Sequence, residues 1–181
     1  MRIAILTTGG TIEKTYNESD GTLANVGSVL HNILGSLRHT EMDIRHIPVM
    51  SKDSLDMTEQ DRQAILYAVK SALSQNDAAI VIHGTDTLAV TGEYLHANLP
   101  TPEKPIILTG AIRPYEFRDT DAVQNVTEAL FACRLLEPGV WVVIHSRALR
   151  FPGVVKDRDR RTFIRSASEP DDCGEPEPNR L

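Results

Sequence analysis

The sequence predicts an α/β fold, a three-layer sandwich with helices covering both faces of a mainly parallel sheet. Short, nearly continuous apolar runs recur along the chain, as strands buried on both faces require. Stretches of helical period separate those runs. Strand–helix alternation of this kind implies right-handed crossovers, which place helices on both faces. Residues 1–165 are expected to form this single domain and residues 166–181 an acidic tail.

Taken in order, Arg2–Thr7 (RIAILT) is the first expected strand, followed by the polar stretch Thr8–Asn25, read as a loop long enough to act as a lid. Val26–Leu37 has short helical character. Ile44–Met50 is the second strand, and Pro48 pushes it toward a sheet edge. Thr58–Gln75 is the clearest helix. Thr58 and Asp61 have capping-box spacing, and Ile65, Leu66, Val69, Ala72 and Leu73 fall on one face. Ala78–His83 is the third strand, and Leu88–Leu99 the helix after it. Pro105–Thr109 and Val140–His145 are the last two strands, joined by a helix over Thr120–Leu136 with Val123, Val126, Leu130 and Cys133 at helical spacing. Trp141 is assigned to the core. The tail, SASEPDDCGEPEPNRL, has three prolines and no hydrophobic period, so disorder or loose attachment is expected.

Composition excludes several classes of function. The net charge of −6, the pI near 5.5 and the absence of a Lys/Arg block argue against a nucleic-acid partner held through phosphates. Two cysteines, Cys133 and Cys173, make neither a disulfide framework nor a Cys-rich metal site, so a reducing compartment is expected. The apolar stretch Ile3–Leu6 is far too short for a signal-peptide core, and no run approaches the ~20 residues of a membrane span. A cytoplasmic protein without a membrane partner is the expectation. Phosphate-binding and metalloprotease motifs are absent, as is G-x-S-x-G, and the six histidines lack metal spacing. His83 and His145 end strands but, as lone residues, are assigned a structural role.

In open α/β sheets, ligands bind beyond the carboxyl ends of the strands. Three such ends stand out here: Thr8-Gly9-Gly10-Thr11, His83-Gly84-Thr85-Asp86-Thr87 and Gly110-Ala111-Ile112-Arg113-Pro114. Any one of them alone is equally a turn into a helix, with Thr85 or Asp86 as N-cap. Three together favour a shared site, because glycine lets backbone approach a ligand closely.

TTGGTIE, HGTDT and GAIRP, in this order and spacing, resemble the signature set of the bacterial-type L-asparaginases. The resemblance covers residues 2–165 and is to the N-terminal domain, as in a short, single-domain form. It implies hydrolysis of the small molecule L-asparagine to L-aspartate and ammonia, in asparagine catabolism, without metal or cofactor. Thr11 matches the nucleophile and Tyr16 the tyrosine that assists it. Thr85, Asp86 and Lys156 match a Thr–Asp–Lys relay. Ser54 matches the serine that holds the α-carboxylate, and Ala111 the alanine whose carbonyl faces the scissile amide, with Gly10 and Gly84 lining the substrate. A homo-oligomer, dimer or tetramer, is implied.

These residue types suit the chemistry. A threonine hydroxyl is a weak nucleophile and needs a proton acceptor or a charged relay. A shielded lysine beside an aspartate can help deprotonate Thr85 or a water. Backbone N–H groups near Thr85 can form an oxyanion hole, worth roughly 2.7–4 kcal/mol per donor. Thr11 and Thr85 can divide acylation and deacylation in either order. Two departures concern the substrate's α-amino group: Leu55 stands where many relatives have glutamine, and the expected single-domain form does not carry the second domain from which, in relatives, a neighbouring subunit supplies an acidic residue. Asp86 is then the expected amino-group partner. Competing expectations are a glutaminase or other small-amide amidase, and a non-catalytic amino-acid-binding protein on the same fold.

Overall fold

The computed structural model describes residues 1–25 and 28–166. The acidic tail, apart from Ser166, lies outside the described residues, as do Val26 and Gly27 at the start of the first expected helix. The strands are β1 (Arg2–Gly9), β2 (Lys14–Asn17), β3 (Thr22–Asn25), β4 (Asp43–Lys52), β5 (Ala78–Ile82), β6 (Pro105–Thr109), β7 (Gly139–Ile144), β8 (Arg147–Arg150), β9 (Val154–Asp157) and β10 (Thr162–Arg165). The helices are α1 (Leu30–Ser36), α2 (Glu59–Leu73), α3 (Leu88–Asn98) and α4 (Ala122–Ala132). The central sheet has the order β4-β1-β5-β6-β7-β8, parallel throughout except for β8, which runs antiparallel to β7.

Both faces of that sheet are apolar, and the period-two alternation of each strand divides its side chains between two cores. Ala4, Leu6, Ala79, Val81, Ile106 and Leu108 pack beneath α2 and α3. Ile3, Ile5, Ile80, Ile82 and Ile107 pack beneath α1 and α4. The result is the expected three-layer sandwich. Helix α2 starts with the capping box read from the sequence: Thr58 accepts from the Asp61 N–H, and the Asp61 carboxylate accepts from the Thr58 N–H. β4, the Pro48 strand, lies at the sheet edge as expected. Cys133 is a free, buried thiol, its ionisation pushed up to about 12 by desolvation.

Three expectations need correction. The polar stretch after β1 is not a loop: β2 and β3 form a hairpin with Tyr16 opposite Leu23. Past His145 the chain adds β8 and a second hairpin, β9–β10, neither of which the apolar pattern predicts. Trp141 is only half-buried; Arg150 lies over its ring at 5.5 Å, and its indole N–H donates to the Glu137 carbonyl.

The β9–β10 hairpin is anchored from below. Val154, Phe163 and the preceding Phe151 are buried in the core under α3. Gly92, in the middle of α3, makes room for Phe151: a Cβ there would overlap the ring. Alanine at a helical glycine normally adds up to about 1 kcal/mol of helix propensity, whereas overpacking of this kind costs roughly 1–3 kcal/mol. Gly92→Ala should therefore lower the unfolding free energy measured in denaturant by about 1–2 kcal/mol. Unchanged or higher stability would mean that Phe151 is not held against the helix.

Candidate active site

The strand order reverses between β1 and β5, because the chain leaves β1 for β4 and then crosses back over it. Carboxyl ends at such a reversal open a crevice. The backbone there is unusually close. Gly9 and Gly10 both have positive φ, 97° and 88°, and the Gly10 N–H donates to the Lys52 carbonyl at 3.0 Å. A Cβ on Gly10 would collide with the backbone of Gly84, and one on Gly84 would sit 2.6 Å from Ser54 Oγ. Three motifs far apart in sequence thus meet in glycine-sized gaps.

Thr11 follows Gly10 as the first residue of a 3₁₀ turn, Thr11–Glu13, and is half-buried. Among the described residues its hydroxyl forms no hydrogen bond. Ser54 opens a second 3₁₀ turn, capped by the Asp53 side chain, which accepts from the Leu55 N–H. Lys14 bridges from β2 to that Asp53 carboxylate at 2.7 Å and holds it below the usual carboxylate range. The Thr87 hydroxyl donates to the Ser54 carbonyl at 2.7 Å. Ser54 is 1% exposed, yet its Oγ has no partner among the described residues. A buried orphan hydroxyl beside Gly84 suits a ligand's polar group, since leaving it unmatched costs ~1–3 kcal/mol.

Lys156 on β9 reaches the end of β5. Its Nζ donates to Thr85 Oγ1 and to Asp86 Oδ1, both at 2.9 Å. The Lys156 side chain is 14% exposed, and Arg158 adds a second cation 3.8 Å from the same Asp86 oxygen. Glu93 of α3 accepts from the Gly153 and Val154 N–H groups, which fixes the start of β9 above the helix. Lys156 is therefore placed by a hairpin rather than by a solvated charge run.

The turn after β6 closes the other side. A Cβ at Gly110 would lie 3.4 Å from Thr85 Cγ2, and Ala111 is buried. Asn125 Nδ2 donates to the Gly110 carbonyl at 2.9 Å. Asp121 accepts from the Ile112 and Arg113 N–H groups and from Asn125. Burial alone would raise the Asp121 carboxyl, but Ile112, His145 and Arg113 together bring it below the usual range. Sequence reasoning did not single out Asp121 or Asn125; an Asp before an apolar helix is too common a cap to stand out.

Of the expected site residues, Gly10, Ser54, Gly84, Thr85, Asp86 and Lys156 are brought together by direct contacts, and Thr11 and Ala111 follow Gly10 and Gly110 in the chain at the same strand ends. Tyr16 does not join them. It is 57% exposed, its hydroxyl lies beside Gly21 at the hairpin turn, and its N–H donates to Glu116 Oε2 at 2.8 Å. His83 is fully buried and keeps a structural role. Because a carbonyl can only accept, Nδ1–H donates to the Gly84 carbonyl, leaving Nε2 to accept from the Thr91 hydroxyl. Desolvation lowers the His83 pKa to about 4, so the ring stays neutral.

Glu13, two residues beyond Thr11, is 3% exposed with Oε1 unpartnered. Desolvation pushes its carboxyl up, against weaker opposing hydrogen bonds from Ser28 and the Gly9 backbone. The folded state then binds this proton more tightly than the unfolded chain, so stability falls as pH rises from the ordinary glutamate value of ~4.3 through the raised one. Glu13→Gln removes that dependence. Across pH 4.5–7.5, the melting temperature of the Gln variant relative to wild type should climb with pH; parallel curves would place Glu13 in water.

Residues 2–168 match the protein family described as "Asparaginase, N-terminal". The L-asparaginase of Thermococcus kodakarensis is 30% identical over 149 residues, 82% of this chain and 45% of that protein. The L-asparaginase of Bacillus licheniformis is 30% identical over 137 residues, covering 73% and 42% of the two chains. A glutamyl-tRNA(Gln) amidotransferase component from Thermoplasma acidophilum is 28% identical over 129 residues, 71% of this chain and 32% of that one. In three dimensions, the solved thermostable L-asparaginase from Thermococcus kodakarensis superposes with a TM-score of 0.82 at 29% identity, over 91% of this chain and 51% of that one. The chain thus spans about half the length of these relatives or less, and what it shares with them is the domain bearing the three strand-end motifs. With the family model matching residues 2–168 and the fold superposing on a solved relative, the chain belongs to the asparaginase family, by way of the N-terminal domain.

Proposed function

We propose that the crevice hydrolyses the side-chain amide of L-asparagine, giving L-aspartate and ammonia. One observation carries this reading: Lys156 Nζ stands 2.9 Å from both Thr85 Oγ1 and Asp86 Oδ1, at the strand ends where Gly10 and Gly84 touch. In this reading Thr11 Oγ attacks the amide carbon, and its proton passes to the leaving nitrogen. Ammonia departs and leaves an ester on Thr11. Water then attacks the ester, returning aspartate and the free hydroxyl. Thr85 and Lys156 move the protons, with Asp86 holding the lysine in place and meeting the substrate's ammonium. Ser54 Oγ, orphaned and buried, receives the α-carboxylate. Tyr16 assists only when the hairpin folds toward Thr11. The reaction uses no metal or cofactor in this reading, and the working form is a cytoplasmic homo-oligomer.

A second reading, hydrolysis of glutamine or another small amide, is favoured by the similarity to an amidotransferase component. Ammonia release from purified protein with asparagine, glutamine and no substrate separates the two and tests for any activity at all.

If Thr11 supplies the attacking oxygen, Thr11→Val, which keeps the β-branch, should fold normally and lose nearly all ammonia release. Retention of more than about a tenth of wild-type turnover, a barrier change under ~1.4 kcal/mol, would remove Thr11 as the nucleophile. Selectivity gives an independent check. With the amino-acid head anchored by Ser54 and Asp86, glutamine carries its carbonyl past Thr11, and a misplacement of ~1 Å can cost about a hundredfold. One extra methylene in a packed pocket costs roughly 10–200-fold. Asparagine should therefore lead in kcat/KM on the same preparation; parity, or a preference for glutamine, would overturn head anchoring.

A further inference from the structure

We propose that His145 is a positioning residue that ties the Lys156 hairpin to the Ala111 turn, setting the spacing between opposite walls of the crevice. The inference rests on the proposed hydrolytic reading for its effect on rate, but the linkage itself stands on geometry. His145 follows β7, between the two elements it would join. Its ring spans them: Nε2 lies 2.8 Å from Asp121 Oδ2, and Nδ1 lies 3.1 Å from Thr162 Oγ1. Asp121 is the group that receives the Ile112 and Arg113 N–H groups, directly after Ala111. Thr162 lies on β10 opposite Asp157, one register step from the Phe163–Lys156 pair. One imidazole therefore connects the turn after β6 to the strand partner of the lysine.

The ring sits on the two-residue turn between β7 and β8, where Ile144 pairs with Arg147. His145 and Ser146 both occupy the left-handed region, at φ 52° and 60°. A two-residue hairpin turn of this type requires positive φ at both of its residues, and only its placement needs support from outside. Helix α4 supplies that support: the His145 N–H donates to Asn125 Oδ1 at 3.1 Å, and the Ser146 N–H donates to Glu128 Oε2 at 2.8 Å. Asn125 also holds the Gly110 carbonyl, so the same side chain fixes the histidine backbone and the start of the Ala111 turn. A carboxylate only accepts, so Nε2 carries a proton and donates to Asp121, while Nδ1 faces the Thr162 hydroxyl. A simple core histidine would need partners for its own sake; these partners belong to the two walls of the site.

The test uses Thr162→Val, which cuts the hairpin side of the link, and His145→Asn, which tolerates the left-handed backbone but cannot span both partners. In asparagine hydrolysis, each should lower kcat about tenfold or more with KM within about threefold, because Ser54 and Gly84 lie outside the link. The double variant should be no worse than His145→Asn alone. Additive losses, a rise in KM at unchanged kcat, or a lower melting temperature with unchanged kcat per folded molecule would each overturn the proposal. Amide hydrogen exchange by NMR decides the linkage without activity. Thr162→Val should speed exchange at Ile112 and Arg113 about tenfold or more, across the ring from the substitution, and unchanged exchange there would overturn it. A wild-type protein that releases no ammonia from asparagine or glutamine would fail the hydrolytic reading and leave the exchange result to judge the link alone.

Discussion

The contact between Gly10 and Gly84 is the constraint on which the rest of the crevice depends. Backbone meets backbone there, with no room for a Cβ on Gly10, and Ser54 fills the remaining side. Because β1 and β5 are hydrogen-bonded neighbours on either side of the strand-order reversal, their carboxyl ends diverge into opposite crossovers. That divergence opens the crevice, and the glycine contact closes its floor. A side chain on Gly10 would push the Thr11 turn off β5. It would thereby separate the hydroxyl of Thr11 from the Thr85–Asp86–Lys156 cluster whatever the quality of the individual groups. Positive φ at Gly9 and Gly10 shows the same demand in the backbone: the chain must leave β1 sharply, through a register shift against β4, to reach this position.

How much of this was legible in the sequence depended on how local the determining forces were. The four core strands β1, β5, β6 and β7 announce themselves because burial on both faces leaves little choice, and α2 does so through its own apolar period and cap. The strand-end motifs were legible too, since Gly-Gly and Gly-Thr after an apolar run are uncommon enough to notice. The β2–β3 hairpin was not. Lys14-Thr15-Tyr16-Asn17 and Thr22-Leu23-Ala24-Asn25 are mostly polar, so neither strand has a buried face to produce an alternating pattern. The β9–β10 hairpin hides behind a charge run in which Lys156 looks no different from Arg158 or Arg160. Only docking of Phe163 and Val154 under α3 distinguishes it, and that is a tertiary event. The Asp121–Asn125–His145 network was least legible, because its hydrogen bonds join residues as far as 24 positions apart through unremarkable residue types.

Polar groups of the domain differ in how completely they are matched. Buried His83 has a partner on each nitrogen, and half-buried Asp121 accepts four hydrogen bonds from three loops and helices. Where a group faces the crevice, matching is left incomplete. Among the described residues Ser54 Oγ has no partner and the Thr11 hydroxyl is unengaged, and Asp86 is only partly shielded. Three buried side-chain atoms lack a partner among the described residues, Glu13 Oε1, Ser54 Oγ and Arg62 Nε, and of these Ser54 Oγ lies beside Gly84 at the strand-end crevice, where a polar ligand can match it.

The same contrast bears on Tyr16. Gly10, Ser54, Thr85 and Ala111 ride on strand ends or on turns held by backbone hydrogen bonds, which suits groups that must keep fixed distances. Tyr16 rides on a two-stranded hairpin outside the main sheet, and such a ribbon is marginal alone. Its ties to the domain include two ionic ones, Lys14 to Asp53 and the Tyr16 N–H to Glu116. The first lies at the hairpin's root beside the Ser54 turn and can act as a hinge; the second holds the strand outward against the turn that follows Ala111. Bringing the phenol to Thr11 breaks the second tie and keeps the first. A hydrogen bond to a charged group contributes ~1.5–3 kcal/mol, less when exposed, so a bound substrate that offers Tyr16 a comparable contact can offset the loss. In the proposed mechanism, closing the hairpin over Thr11 therefore requires the substrate to replace the Glu116 tie.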